Sequence, residues 1–381
     1  MVQTQALPAF ETVGENAVRL WGLSPHERVR RIAQAASMVP RQGQAAPVVL
    51  ANAADAFDPA WFRHVAENPG TVLTLGGVPA LAHARNAEEA GEIEAAMREG
   101  RALAGDLGMQ VLAFEDGPTI ENRSLRKRET PFVMPLRAQT VRSIERASYF
   151  GAYKGVTDLL TKYLWPEWAL VLTRIAARLG MTPNMVTTIG AVFCVLATWC
   201  FAEGRYWLGM ALGLAFMVLD TVDGKLARCT ITSSEWGNIF DHGMDIVHPP
   251  FWWWFWAIGL SHWGLAYDDT TFWWVQGAIQ GGYVVQRLIE AVFIRQYGRH
   301  IHVWRRFDSR FRLITARRNP NMVILFVSML FGRPDLGLIA VAWWTAISCF
   351  IHAVRIVQAW IVQARGGAIT SWLTEPGADA R

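Results

Sequence analysis

Charge is scarce in this sequence. Asp, Glu, Lys and Arg make up 18% of its 381 residues, against roughly 25% in soluble proteins. A soluble protein throughout is therefore excluded. Cysteine is also rare: Cys194, Cys200, Cys229 and Cys349 show no CxxC or other ligand spacing. That excludes a thiolate metal site and a disulfide framework, leaving reduced, structural thiols. The first 30 residues hold no uninterrupted apolar run, so no cleavable signal peptide is expected and insertion falls to later helices. Internal repeats and low-complexity stretches are missing. The net charge of +4 is not gathered into a free basic domain. Anionic headgroups and phosphorylated substrates are expected as partners, and nucleic acid is not.

Apolar residues are abundant, at 52%, with 19 tryptophans, most of them after residue 160. Six apolar segments, at about 184–202, 206–222, 237–261, 272–294, 319–333 and 337–362, follow one another. Some are shorter than the roughly 20 residues that cross the hydrocarbon. Pro249 and Pro250 lack backbone N–H groups and are expected to kink the third. Between the fourth and fifth lie Arg295, Arg299, Arg305, Arg306, Arg310, Arg312, Arg317 and Arg318. The positive-inside rule then puts that loop and both termini in the cytoplasm of a multi-pass protein of the inner membrane. The run Trp252, Trp253, Trp254 and Trp256 reads as an interfacial, lipid-facing belt.

The expected fold class is an all-α polytopic membrane domain of six transmembrane helices behind a small α/β cytoplasmic domain. The divisions are 1–140 for the α/β domain and 141–180 for a basic, amphipathic interfacial region. The membrane domain is 181–365, and 366–381 is a cytoplasmic tail. In the first division, strands are expected from Pro47 to Leu50, Thr71 to Leu75 and Met109 to Phe114. A helix follows the Asp58 cap and Pro59, and a charged helix covers 86–99.

The chemistry is concentrated between Asp220 and Asp245. Asp220 and Asp223 stand three apart at the end of one helix, and Asp241 and Asp245 four apart at the start of the next. Either spacing puts a pair on one helix face, so adjacent helices can aim four carboxylates at one point. Such a cluster at a membrane boundary is costly without positive charge. Hard divalent cations with oxygen ligands supply it, Mg2+ or Mn2+ being suited to a phosphate-bearing substrate. Gly224, Ala227 and Gly237 leave room for a flat base and ribose against the helix backbone, and Arg228 offers a forked contact to pyrophosphate.

With these spacings, Asp220-x2-Asp223-Gly224-x2-Ala227-Arg228-x8-Gly237-x3-Asp241-x3-Asp245 resembles the signature of the CDP-alcohol phosphotransferase family at every fixed position and gap. Thr182-Pro183-Asn184 is similar to that family's Thr-Pro-Asn/Asp opening. The resemblance covers roughly 140–365. It implies six transmembrane helices, a homodimer and a two-metal site open to the cytoplasm. By the same resemblance Asp220 and Asp241 bridge both metals, Asp223 holds one, and Asp245 holds the other and is the general base. Thr182, Pro183, Asn184, Gly224, Ala227, Arg228, Ser234 and Gly237 form the CDP site. The implied reaction joins a CDP-alcohol, CDP-diacylglycerol foremost, to an acceptor alcohol in phospholipid or polar-lipid synthesis, with release of CMP. Alternatives are a transferase joining a soluble CDP-alcohol to a phosphorylated polyol and, from another class, a cation transporter.

Three further readings accompany these. His242 and His248 are assigned packing or supporting roles rather than metal ligation. The loop from Arg305 to Arg318 suits either an anionic acceptor or lipid headgroups. Val48 to Ala80 resembles the middle of a nucleotidyltransferase fold, without the glycine-rich, Arg-containing loop that holds a triphosphate. A degenerate, non-catalytic domain is expected there.

Overall fold

The computed structural model describes residues 9–43, 46–105, 107–122 and 125–374, the side chain of His242 excepted. His242 and residues 375–381 of the expected tail therefore lie outside the described structure. The chain forms two compact units. One comprises the N-terminal 153 residues with 177–180 and 225–232; the other comprises 154–176, 181–224 and 233–381.

The first unit is built on strands β1 (Ala9–Val13), β2 (Val39–Pro40), β3 (Val48–Asn52), β4 (Asp55–Phe57), β5 (Thr71–Leu75), β6 (Val78–Ala84), β7 (Gln110–Ala113), β8 (Ile120–Asn122), β9 (Lys127–Glu129) and β10 (Val133–Pro135). Six of them form one sheet in the order β2-β1-β3-β6-β5-β7, and β4 pairs with β10 and β8 with β9. Helices α1 (Pro25–Ala35), α2 (Pro59–Glu67), α3 (Ala87–Glu99) and α4 (Val141–Gly151) complete it.

Alternation along β3 makes the core two-sided. Val49 and Ala51 pack with Val29 and Ile32 of α1 and Trp61, Phe62 and Val65 of α2. Val48 and Leu50 pack with Ala90, Ile93 and Met97 of α3. The helix starts follow local chemistry: Asp58 accepts a hydrogen bond from the Ala60 N–H at 2.9 Å, and Asn86 from that of Glu89 at 2.9 Å. Strand β6 is an addition to the expected elements. Gly76 and Gly77, at φ +57° and +80°, join it to β5 in a tight hairpin turn. Pro79 argues against a central strand, yet it sits beside a register shift between Leu73 and Thr74, where the ladder is already irregular.

In the second unit, α5 (Leu159–Tyr163) and α6 (Pro166–Arg178) lead into α7 (Pro183–Ala202), α8 (Tyr206–Cys229) and α9 (Glu235–Gly259). Next come α10 (Asp269–Gln276), a π turn at Gly277–Gly281, α11 (Gly282–Tyr297) and α12 (Arg306–Phe311). The unit closes with α13 (Arg318–Leu330) and α14 (Pro334–Ala364). By length and composition, three helices among the described residues are apolar enough to cross a membrane: α7, α8 and α14.

Helix α9 is unbroken through Pro249 and Pro250. Pro250 cannot donate to the carbonyl of Ile246; the hydroxyl of Tyr283 donates to it instead, at 2.9 Å. The expected tryptophan belt is corrected here. Trp252, Trp253 and Trp256 are buried, with Phe201 packed edge-on against Trp252 and Tyr206 stacked on Trp256. The Trp256 indole N–H donates to the Pro334 carbonyl at 3.1 Å, so these rings fasten α9 to its neighbours.

Candidate active site

Helices α8 and α9 bring three of the four motif aspartates together. One carboxylate oxygen each from Asp220, Asp241 and Asp245 lies within 4.8 Å of the others. Asp223 faces a different partner: its Oδ2 is 2.5 Å from Thr187 Oγ1 of α7, and its Oδ1 accepts from the Gly224 N–H at 2.5 Å. It is buried, and it is not one of the three whose oxygens lie within 4.8 Å of one another.

The main addition to the sequence reading is Arg318, at the start of α13. Its Nη2 donates to Asp220 Oδ2 at 2.7 Å and its Nη1 to Asp245 Oδ1 at 3.0 Å. The guanidinium lies 4.9 Å from the centre of the Phe216 ring. The guanidinium offsets one of the three formal negative charges of the trio. The members differ in access: the side chains of Asp220 and Arg318 are 15% and 12% exposed, whereas Asp245 is 47% exposed. Asp245 is thus the carboxylate that an incoming molecule reaches.

Two contacts from the segment before α7 brace this arrangement. Asn319 donates to Asp158 Oδ1 at 3.0 Å, which fixes the residue beside Arg318. The Trp165 indole N–H donates to Thr221 Oγ1 at 3.1 Å, one residue after Asp220. Burial opposes the charge of Asp158, but Arg312, the Thr161 N–H and Asn319 together hold its carboxyl below the usual range.

The expected CDP residues are arranged around the openings of α7 and α9. Thr182 caps α7, accepting from the Met185 N–H at 3.3 Å, with Pro183 and Asn184 in its first turn. Ser234 caps α9, accepting from the Gly237 N–H at 3.0 Å. A Cβ at Gly237 would sit 3.0 Å from Ser234 Oγ and 3.1 Å from Asn184 Oδ1, so a side chain there would press on both. Gly224, Ala227 and Arg228 follow Asp223 along the last turns of α8. His248 is packed between the rings of Phe216 and Trp252, at 4.8 and 5.0 Å.

The basic loop is largely committed to internal partners. Arg317 pairs with Glu290 of α11, which also lies 3.2 Å from His302 Nε2. Asp308 receives two hydrogen bonds from Arg355, at 2.6 and 2.8 Å. Thr187 and Arg318 are the site residues that the sequence reading assigned no such role. A threonine one turn into α7 facing an aspartate carries no local sequence signal. Arg318 adjoins Asn319-Pro320 at a helix start, 73 and 98 residues from the acids it meets.

Comparison with known proteins finds one family match. Residues 180–347 match the family described as CDP-alcohol phosphatidyltransferase. The chain is 39% identical over 82 residues to a phosphatidylinositol phosphate synthase of Cutibacterium acnes, covering 20% of this chain and 40% of that protein. It is 38% identical over 138 residues to cholinephosphotransferase 1 of Homo sapiens, covering 33% and 32%. Choline/ethanolaminephosphotransferase 1 of Arabidopsis thaliana is 33% identical over 140 residues, covering 33% and 34%. The chain therefore matches well under half the length of each of these relatives.

Proposed function

We propose, from the match of residues 180–347 to the CDP-alcohol phosphatidyltransferase family, that the chain belongs to that family and is a membrane enzyme of phospholipid or polar-lipid synthesis. It transfers a substituted phosphate from a CDP-alcohol, CDP-diacylglycerol foremost, to an acceptor hydroxyl and releases CMP. The observation that carries this reading is the convergence of Asp220, Asp241 and Asp245 within 4.8 Å at the joined ends of two helices. An all-oxygen donor set with residual negative charge fits hard divalent ions such as Mg2+ or Mn2+. Asp220, Asp241 and Asp245 would hold them, with Asp223 the fourth member of a two-metal site. Bound there, the ions would supply Lewis-acid neutralisation of the phosphate oxygens.

The chain's own residues do the rest. Thr182, Pro183, Asn184, Ser234 and Gly237 present a close-packed, backbone-lined surface for the cytidine end, with Gly224, Ala227 and Arg228 following on α8. Asp245, the most exposed carboxylate of the trio, takes the proton from the acceptor hydroxyl. The acceptor oxygen attacks the β-phosphorus as the bond to the α-phosphate oxygen breaks, and CMP leaves with that oxygen. Arg318 holds Asp220 and Asp245 in fixed relation, so the base is already aimed when the acceptor arrives.

A second reading, with a soluble CDP-alcohol as donor, is supported by the relatives named cholinephosphotransferase. Incubating purified enzyme with CDP-diacylglycerol or CDP-choline and a panel of acceptors, then identifying products by mass spectrometry, decides between the donors. A product from neither, with every acceptor failing, would remove the transferase reading.

In the proposed topology the helices from 183–202 to 334–364 make six crossings as a homodimer in the inner membrane, with α10 and α11 as one. Both termini and the site face the cytoplasm. A cysteine probe at Asp268 should then be labelled from outside intact spheroplasts while one at Arg310 is protected. The reverse pattern would invert the topology.

A further inference from the structure

The turn between α8 and α9 is short, and it lies inside the motif. Residues 225–232 follow Gly224 directly and cluster with the N-terminal unit rather than with the rest of α8. The end of α8 closes as a Schellman turn, in which the Thr232 N–H donates to the Ala227 carbonyl at 2.8 Å. Such a turn needs one residue in the left-handed region, and glycine ordinarily fills it. Here it is Ile231, at φ +52°. A β-branched residue rarely adopts this conformation unless its surroundings impose it.

The surroundings are on α1 and its sheet. Ile231 packs against the apolar core that contains Phe10, Val29 and Ile32. Arg28 and Arg31, three apart and on one face of α1, both donate to carbonyls at the end of α8. Arg31 Nη1 reaches the Thr230 carbonyl at 2.9 Å, and Arg28 Nη1 the Cys229 carbonyl at 3.4 Å. These are orphan acceptors at the negative end of a helix, where cations are favoured. Arg31 is itself fixed by Glu27, whose Oε1 accepts from Arg31 Nε at 2.6 Å. One residue after Gly224, the Lys225 ammonium lies 2.9 Å from the centre of the Tyr153 ring.

We propose that α1 is the brace of the turn inside the transferase motif, and that Arg31 is a positioning residue which caps α8 and holds that α8–α9 turn. Asp220 and Asp223 stand on one side of that turn along the chain, and Ser234, Gly237, Asp241 and Asp245 on the other. The conformation of residues 229–232 sets how the two helices leave it, and so where their carboxylates meet. This role rests on the transferase reading above and gives the α/β unit a function that requires no nucleotide chemistry of its own.

The test uses the full-length enzyme and its Arg31→Ala and Arg31→Lys variants. Amide hydrogen exchange at 229–236 should quicken in Arg31→Ala while strands β3 and β6 keep their protection. In the same variant kcat should fall about tenfold, with KM for the CDP-alcohol little changed, as displacement of reacting groups predicts. Arg31→Lys, which keeps one donor, should restore most of both. Unchanged exchange in the turn would overturn the brace, as would faster exchange with an unchanged kcat. If the wild-type protein transfers nothing from any CDP-alcohol, the transferase reading fails separately, and the exchange measurement alone decides whether Arg31 holds the turn.

Discussion

Replacing Arg318 by Gln removes a guanidinium that bridges Asp220 and Asp245, and the outcome can be worked out from the geometry. Two charge-assisted bonds are lost, at 2.7 Å to Asp220 and 3.0 Å to Asp245. Such a bond contributes about 1.5–3 kcal/mol net when buried. That figure applies to Asp220, at 15% exposure, but not to Asp245, which is 47% exposed and screened; the latter contributes about 0.5 kcal/mol. Gln restores part of the bonding but none of the charge, so the formal charge at the cluster becomes one unit more negative. A loss near 3 kcal/mol follows in the absence of divalent ions, the low end for breaking a buried pair. At roughly 2–4 °C per kcal/mol for a unit of this size, the melting temperature drops by about 6–12 °C. Divalent ions should narrow the gap, because the guanidinium no longer competes for the carboxylates and ligand binding stabilises the folded state by mass action. The assay is thermal melting in detergent, with chelator and then across a Mn2+ titration. Equal melting of the two proteins in chelator, or a gap that Mn2+ leaves unchanged, would refute the reasoning.

Asp245→Asn should lower kcat by about a hundredfold or more while the dissociation constant for the CDP-alcohol stays within a few-fold, since a general base acts in the transition state; lost binding with a surviving rate would make Asp245 a ligand only. Asp55 supplies a pH prediction. Burial, opposed by Arg137, pushes its carboxyl up to about 6, while the unfolded value is about 3.9. The folded state therefore binds more protons between these values, and the stability of the N-terminal unit falls as pH rises from about 4 through about 6. Allowing for its partial exposure, the loss is about 1–2 kcal/mol. Asp55→Asn should flatten that slope, measured as hydrogen exchange in β3 against pH; a slope parallel to that of the natural protein would remove Asp55 as its source.

What the sequence discloses and what it hides divide along contact distance. Caps and local periodicity place α2 and α3, because Asp58 and Asn86 act on amides two and three residues away. The aspartate motif is legible for the same reason: its spacings of three and four are properties of single helices. Strand β6 is hidden because Pro79 violates the local rule and only the neighbouring register shift accommodates it. Trp252 and Trp256 look like interfacial residues in one dimension. Their burial depends on Phe201 and Tyr206, which lie about 50 positions earlier. Arg318 is hidden most completely, being 98 residues from Asp220 and 73 from Asp245. The resemblance to a known family reaches the acids, whose pattern is compact, and not the cation that folds among them.

In the function proposed above, the three converging aspartates make transfer from a CDP-alcohol depend on a divalent ion. CMP release by the purified full-length protein tests it most directly, measured with CDP-diacylglycerol or CDP-choline and an acceptor mixture. The account predicts release that needs added Mg2+ or Mn2+, stops in excess chelator, and is abolished by Asp241→Asn in protein that still folds and inserts. Undiminished CMP release in chelator, or from the Asp241→Asn variant, would contradict it.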